Sequence, residues 1–165
     1  MRLLQQSFAF LWFFVCTNSL YAQTNDITLA VWANEAIVST YTYNASNFLS
    51  RQKEIAHYFT ATGWINFSKA LQASKLPETI KKNNYTVSAV ALMPPSIKTI
   101  RTNQWQAIMP ILVVYQNPSF QQQQTLEVIL NFTQAPQNQG VRGLIISSIQ
   151  TKITKPPCQC QRSEA

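Results

Sequence analysis

The chain has few of the side chains that do covalent or acid–base chemistry. Its 165 residues include one histidine, His57, and six acids, of which Asp26 is the sole aspartate. No Ser-His-Asp set and no metal-ligand cluster with usable spacing can be assembled from so few groups. His57 alone could act as a general base. Beside Tyr58 and Phe59, its expected role is partly buried packing. Three glycines leave no loop able to cradle a phosphate. The sequence therefore predicts no enzyme, no cofactor and no metal.

Cysteine is scarce too, with three residues, Cys16, Cys158 and Cys160. That is too few for a disulfide framework. Cys158 and Cys160, one residue apart, stand as a candidate disulfide, a link to another chain or an incidental feature of the tail. Long apolar runs are also missing. The run over 8–16 is bounded by Gln5, Gln6 and Ser7 on one side and by Thr17, Asn18 and Ser19 on the other. A membrane span needs roughly 20 apolar residues. With Arg2 ahead and Leu20-Tyr21-Ala22 behind, residues 1–22 read as a signal peptide cleaved after Ala22. The alternative is an uncleaved inner-membrane anchor. Cleavage would leave one domain over 23–154 and a flexible tail over 155–165, with no membrane span in the mature form. The expected location is periplasmic or secreted.

Acid is the minor charge, and the net charge is +7. The cations are scattered, with only Lys81 and Lys82 adjacent, and they are not interleaved with aromatics. Nucleic acid is therefore not expected. The excess suits solubility and is compatible with an anionic lipid surface or an acidic protein face.

What is present is periodicity. Ala33, Ala36, Ile37, Thr40, Tyr41, Asn44, Ala45 and Phe48 recur at helical spacing, which predicts one helix over 27–50 with Asp26 as its N-cap. The β-branched and aromatic run at 37–43 favours a strand instead. The unbroken helical stripe decides for the helix. Ile55, Tyr58 and Phe59 form a short apolar face. Trp64, Phe67 and Leu71 mark a second helix capped by Thr60 or Thr62, and Pro77 opens a third, short one.

From Asn84 the period becomes two. Tyr85, Val87, Ala89, Ala91 and Met93 alternate as a half-buried strand, and 97–102 forms another. Residues 105–116 are apolar almost throughout, as in a central strand covered on both faces. Pro110 within it implies a bulge or bend. A loop over 117–124 holds the glutamine run. Leu126, Val128, Leu130 and Phe132 give the cleanest strand. The last, over 141–153, places Val141, Gly143, Ile145, Ser147, Ile149 and Ile153 on one face. Helices first and strands second make an α+β domain. Its sheet should be a curved antiparallel meander of four or five strands, with the helices filling its concave side. Trp32, Trp64 and Trp105 are expected core anchors. Asn34 and Glu35 sit beside the helical stripe, either as a pair bonding across the domain or to a partner, or as a solvated shoulder.

Three segments carry a resemblance. They are Trp-Ala-Asn-Glu-Ala at 32–36, with Tyr41 and Tyr43 following; Tyr-Phe-Thr-x-x-Gly-Trp at 58–64, with Phe59, Gly63 and Trp64; and Trp105, Pro110 and Tyr115 in the 105–115 segment. In this order, the chain from 30 to 149 resembles the DotI/IcmL family of type IVB secretion proteins. The resemblance implies a nuclear-transport-factor-2-like, cystatin-like cone. It also implies a non-enzymatic module that works by contacts with other secretion-apparatus or envelope proteins, homo-oligomers included. It makes the motif residues structural or interfacial. A second possibility is that the cone opens to hold a small apolar ligand, with Trp64 and Phe67 lining the cavity.

Overall fold

The computed structural model describes residues 19–159, and side chains over 26–158. Four helices, α1 (Ser19–Thr40), α2 (Phe48–Ala56), α3 (Ala61–Ala73) and α4 (Leu76–Asn83), precede most of the sheet. Its strands are β1 (Tyr43–Asn44), β2 (Thr86–Ala91), β3 (Ser96–Arg101), β4 (Gln104–Asn117), β5 (Phe120–Gln134) and β6 (Leu144–Gln159). All pair antiparallel in the order β1-β2-β4-β5-β6, and β3 pairs β4 beside β2. The sheet thus has six strands where four or five were expected, because the short β1 and the β3 flap both join it.

α1 lays the predicted stripe on the sheet. Trp32, Ala33, Ala36 and Ile37 are buried against Met109, Ile111, Val113, Val128, Leu130 and Phe132. Thr40 is buried as well, and its hydroxyl donates to the Ala36 carbonyl at 2.7 Å, so its burial leaves no orphan donor. The single helix over 27–50 is not found. α1 begins upstream of Asp26, which therefore caps nothing, and it ends at Thr40. The strand signal in the same stretch wins locally, because Tyr43 and Asn44 pair with Val87 and Thr86 of β2. An Asx turn follows, with Asn44 Oδ1 accepting the Asn47 N–H and Asn47 Oδ1 accepting the Asn44 N–H, both at 2.8 Å. Arg51 of α2 donates back to the Ser39 and Thr42 carbonyls, placing a cation at the C-terminus of α1.

The later helices form where their punctuation predicts. Thr60 caps α3 by accepting the Gly63 N–H at 3.0 Å. Thr60→Ala is expected to lower stability by about 1 kcal/mol, read as a shift in the urea midpoint at constant m-value. α4 has Pro77 in its first turn, Glu78 near its N-terminus and Lys81 and Lys82 at its end, as the helix dipole favours. Asn84 ends it in the left-handed region at φ 50°.

Three strand expectations are corrected. β4 is fully buried on one face only: Ala107, Met109, Ile111 and Val113 are inside, while Ile108, Pro110, Leu112 and Val114 are half-buried. Pro110 makes no bulge, since the register with β5 runs unbroken through Met109↔Val128, Pro110↔Glu127 and Ile111↔Leu126. It sits in the gap between the β2 pairing, which ends at Ile111, and the β3 pairing, which begins at Ile108. Its carbonyl accepts the Leu92 N–H on that side at 2.9 Å, and its missing donor falls where no ladder bond is required. The glutamine run is strand rather than loop, because β4 and β5 close through a two-residue turn with Asn117 opposite Phe120.

On β6, a register shift between Asn131↔Ser148 and Phe132↔Ile146 leaves Ser147 as an extra residue. The alternation predicted from Val141 to Ile153 therefore changes phase, and Ile146 is buried with Leu144 and Ile145. Residues 155–159, placed in the tail by composition, continue the strand. The cleavage site expected at 22 and Cys160 belong to segments whose side chains lie outside the described residues.

Candidate interaction site

Part of the motif set, Trp32 and Glu35 with the 58–64 segment, meets where α1, the turn before α3 and the loop between β5 and β6 come together. Trp32 is 1% exposed. Its indole ring packs on Phe132 at 5.0 Å and on Tyr58 at 6.0 Å between centroids. Its Nε1–H donates to the Val141 carbonyl at 2.9 Å. Three residues on, about one helical turn, Glu35 accepts the Tyr58 hydroxyl at 2.7 Å on one oxygen, and its other oxygen takes the Arg142 guanidinium. Arg142 reaches it from a left-handed backbone at φ 51°, between Gly140 and Gly143, both also at positive φ. Of the polar pair expected on α1, Glu35 bonds across the domain; Asn34 is half-exposed and takes no part in this clasp.

The bond from Tyr58 holds the Glu35 carboxyl below the usual glutamate range despite opposing burial, with Arg142 adding to the effect. Burial, then the bond to Glu35, pushes the Tyr58 hydroxyl up to about 12. A carboxyl with a lowered folded value stabilises fully above its unfolded value of about 4.3, and this is lost as pH falls through the lower folded value. A phenol with a raised folded value stabilises fully below about 10, and this fades as pH rises toward its folded value. Glu35→Gln is therefore expected to cost about 1 kcal/mol at neutral pH, since the ion pair is half-exposed. Melting curves recorded across pH should show the gap between variant and wild type narrowing below about pH 4.

The second motif fastens the open edge of β6. Phe59 forms a parallel bridge with Ile146, the Thr60 N–H donates to the Ile146 carbonyl at 2.8 Å, and the Ile146 N–H donates to the Tyr58 carbonyl at 2.7 Å. Gly63 then brings α3 close to β6: a Cβ there would lie 2.9 Å from the carbonyl oxygens of both Ile146 and Ser147. Trp64 is half-buried and packs with Phe67 against Phe59. Trp105 is half-buried and stacks on Phe132 at 5.6 Å. Of the three tryptophans expected as core anchors, Trp32 alone is fully enclosed.

At the far end of α1, Tyr41 shares a hydrogen bond with Thr151, and burial raises the hydroxyls of Tyr41, Tyr43 and Tyr115 above the ordinary tyrosine range. His57, expected to pack, is exposed at the C-terminus of α2, because Tyr58 and Phe59 turn inward and leave it outside. Cys158 is exposed on β6. Arg142 and Thr151 carry contacts that sequence reasoning did not single out, and Tyr58 and Val141, read there as apolar-face residues, bond to Glu35 and Trp32. Their partners lie 23 to 110 residues away, beyond the reach of any spacing pattern.

The described residues include no group of three metal-ligating side chains, and no helix among them is long and apolar enough to cross a membrane. A groove of about 210 Å³ is lined by Ile27, Thr28, Val31, Trp32, Arg142 and Leu144. Neither Trp64 nor Phe67 lines it, and it is smaller than the roughly 300–1,000 Å³ typical of ligand pockets.

A family model for the type-IV b secretion system, inner-membrane complex component, matches residues 18–153. The chain belongs to the DotI/IcmL family. An IcmL-like type IV secretion system protein of Legionella pneumophila is 57% identical over 81% of this chain and 96% of that one, with a TM-score of 0.77. The periplasmic domain of DotI is 33% identical over 77% and 94%, at 0.73. VirB8 of Agrobacterium tumefaciens, 8% identical over 82% and 95% at 0.55, shows the shared fold alone. No curated protein matches. This DotI/IcmL chain therefore has the VirB8-like, nuclear-transport-factor-2-like fold, with helices on an open antiparallel sheet. It is a type IV secretion component by family.

Proposed function

We propose that the mature chain is a non-enzymatic contact module of a type IVB secretion apparatus, held in the periplasm after removal of residues 1–22. It acts by binding other apparatus or envelope proteins. The observation that carries this is the 33% identity to the periplasmic domain of DotI across 94% of that domain. The clasp supports the same reading. Its carboxylate, phenol and guanidinium satisfy one another, so the groups most capable of chemistry work as fasteners.

The test is purification of the full chain from cross-linked envelopes of its native cells, with N-terminal sequencing of the product. The expected product starts at Gln23, lies in the periplasmic fraction and carries secretion components with it. Recovery of folded chain without a secretion component contradicts the contact role. An intact Met1 in the inner membrane replaces the released form with an anchored subunit.

A further inference from the structure

The face of the sheet turned away from the helices is not finished like a solvent face. Along β4 it presents Ile108, Pro110, Leu112 and Val114, all half-buried. Val90 of β2 lies directly opposite Leu112, and Ile129 of β5 opposite Ile108. Val90 is 57% exposed, and Leu92 and Met93, just beyond β2, are 50% and 63% exposed. The result is a continuous aliphatic row about 20 Å long, at about 3.4 Å per residue. Contiguous exposed apolar surface of this kind marks an interaction site more often than scattered residues do.

The charges around the row have one dominant sign. Lys152 stands opposite Glu127, which stands opposite Pro110; Lys155 stands opposite Thr125, which stands opposite Leu112. Both lysines therefore lie on this face, two strands from the row and about 10 Å away. Lys98 flanks the other side opposite Gln106, and Arg101 lies at the adjoining hairpin. Glu127 is the one carboxylate among these positions.

We infer that this outer sheet face docks an amphipathic helix of another protein, with aliphatic residues toward β4 and carboxylates along the flank toward Lys152 and Lys155. The dimensions fit. A helix is about 10 Å across, which matches the step from the row to the lysines, and about 14 residues cover its length. The rows of Lys152 and Lys155 are two residues of β4 apart, about 7 Å. Carboxylates at i and i+4 on a helix are about 6 Å apart. A protein rather than a lipid surface is indicated by the polar groups on the same face. Glu127 stands opposite Pro110, and past the Ile108 end of the row Gln106 donates to Asn131 at 3.0 Å and Asn131 donates to Ser148 at 2.9 Å. Sinking these groups into acyl chains would be costly, whereas a polar helix flank can meet them. This inference rests on the contact role proposed above and assigns it a surface.

The test uses the full chain and two labelled designed helices with the same leucine stripe, one flanked by glutamate pairs at i and i+4, the other by lysines. Anisotropy should show the glutamate helix binding about tenfold tighter, with a preference that weakens as salt rises. Lys152→Glu with Lys155→Glu should reverse the preference toward the lysine helix, with a slightly lower melting temperature because position 152 faces Glu127. Equal binding of both helices, no binding, or a preference untouched by the reversal overturns the assignment. So does reversal-sensitive binding to phosphatidylglycerol vesicles in place of the glutamate helix. Envelope purification separates this inference from the broader role. If the reversed variant still carries secretion components at the wild-type level, the surface is wrong and the contact role stands. If wild type carries none but keeps the helix preference, the role fails and the surface stands.

Discussion

Trp32→Ala is expected to cost about 3–5 kcal/mol of folding free energy. The ring is almost fully enclosed, and its packing on Phe132 and Tyr58 joins α1 to β5 and to the turn before α3. Truncation opens a cavity at that junction. It also strips the Val141 carbonyl of its indole donor, which adds to the loss. In a domain whose total stability is about 5–15 kcal/mol, such a change removes about a fifth of it or more. Trp32→Phe separates the two contributions: it keeps most of the apolar surface and loses the N–H, so its cost should be well under half that of alanine. Urea unfolding of both variants measures this. A loss below about 1 kcal/mol for alanine would mean the ring is not the junction described here.

Gly63→Ala sets two effects against each other. Within a helix, alanine is favoured over glycine by about 1 kcal/mol, so on propensity alone the variant should be more stable. Packing opposes this. The new methyl would sit 2.9 Å from two backbone carbonyl oxygens of β6 and 3.0 Å from the Thr60 hydroxyl that caps the helix. Carbonyls held in a sheet cannot move aside as a side-chain tip can, so α3 must lift from the edge it covers. Overpacking of this kind costs about 1–3 kcal/mol, which exceeds the propensity gain. The expected outcome is a net loss of up to about 2 kcal/mol, with faster amide exchange at Thr60 and Ile146. A stabilised variant would show that α3 does not approach β6 this closely.

The layered plan could be read from local pattern, because both periods are local properties. The 33, 36, 37, 40 stripe and the alternation of Leu126 to Phe132 appear in the sequence as they do in the core. The end of α1 could not be read in this way. Tyr41, Asn44 and Ala45 continue the helical spacing, and what stops the helix is pairing between Tyr43 and Val87, 44 residues away. Pro110 misled for a similar reason: its effect depends on which side of β4 lacks a neighbour, and only the assembled sheet shows that. The phase of β6 turned on one bulge residue, Ser147, that no alternation count detects.

At the site, Trp32, Glu35, Phe59 and Gly63 stood out through the family resemblance, but the roles they take did not. Glu35 is placed by Arg142, 107 positions away, and that pairing exists only because a left-handed turn between two glycines presents the guanidinium to α1. The aliphatic row on the outer face was visible as the apolar run around Pro110. It was taken for a strand covered on both sides, since hydrophobicity alone does not tell a covered face from one awaiting a partner.

The central claim is that the family's motif residues build the fold, leaving contact to be made elsewhere on the surface. Native-state amide hydrogen exchange of Thr60 and Ile146 tests it most directly, because these two donors tie the second motif to the edge of β6. Exchange of both amides only through global unfolding, in the slowest class of the chain, is the predicted result. Exchange as fast as that of an exposed turn amide such as Asn138 would contradict it.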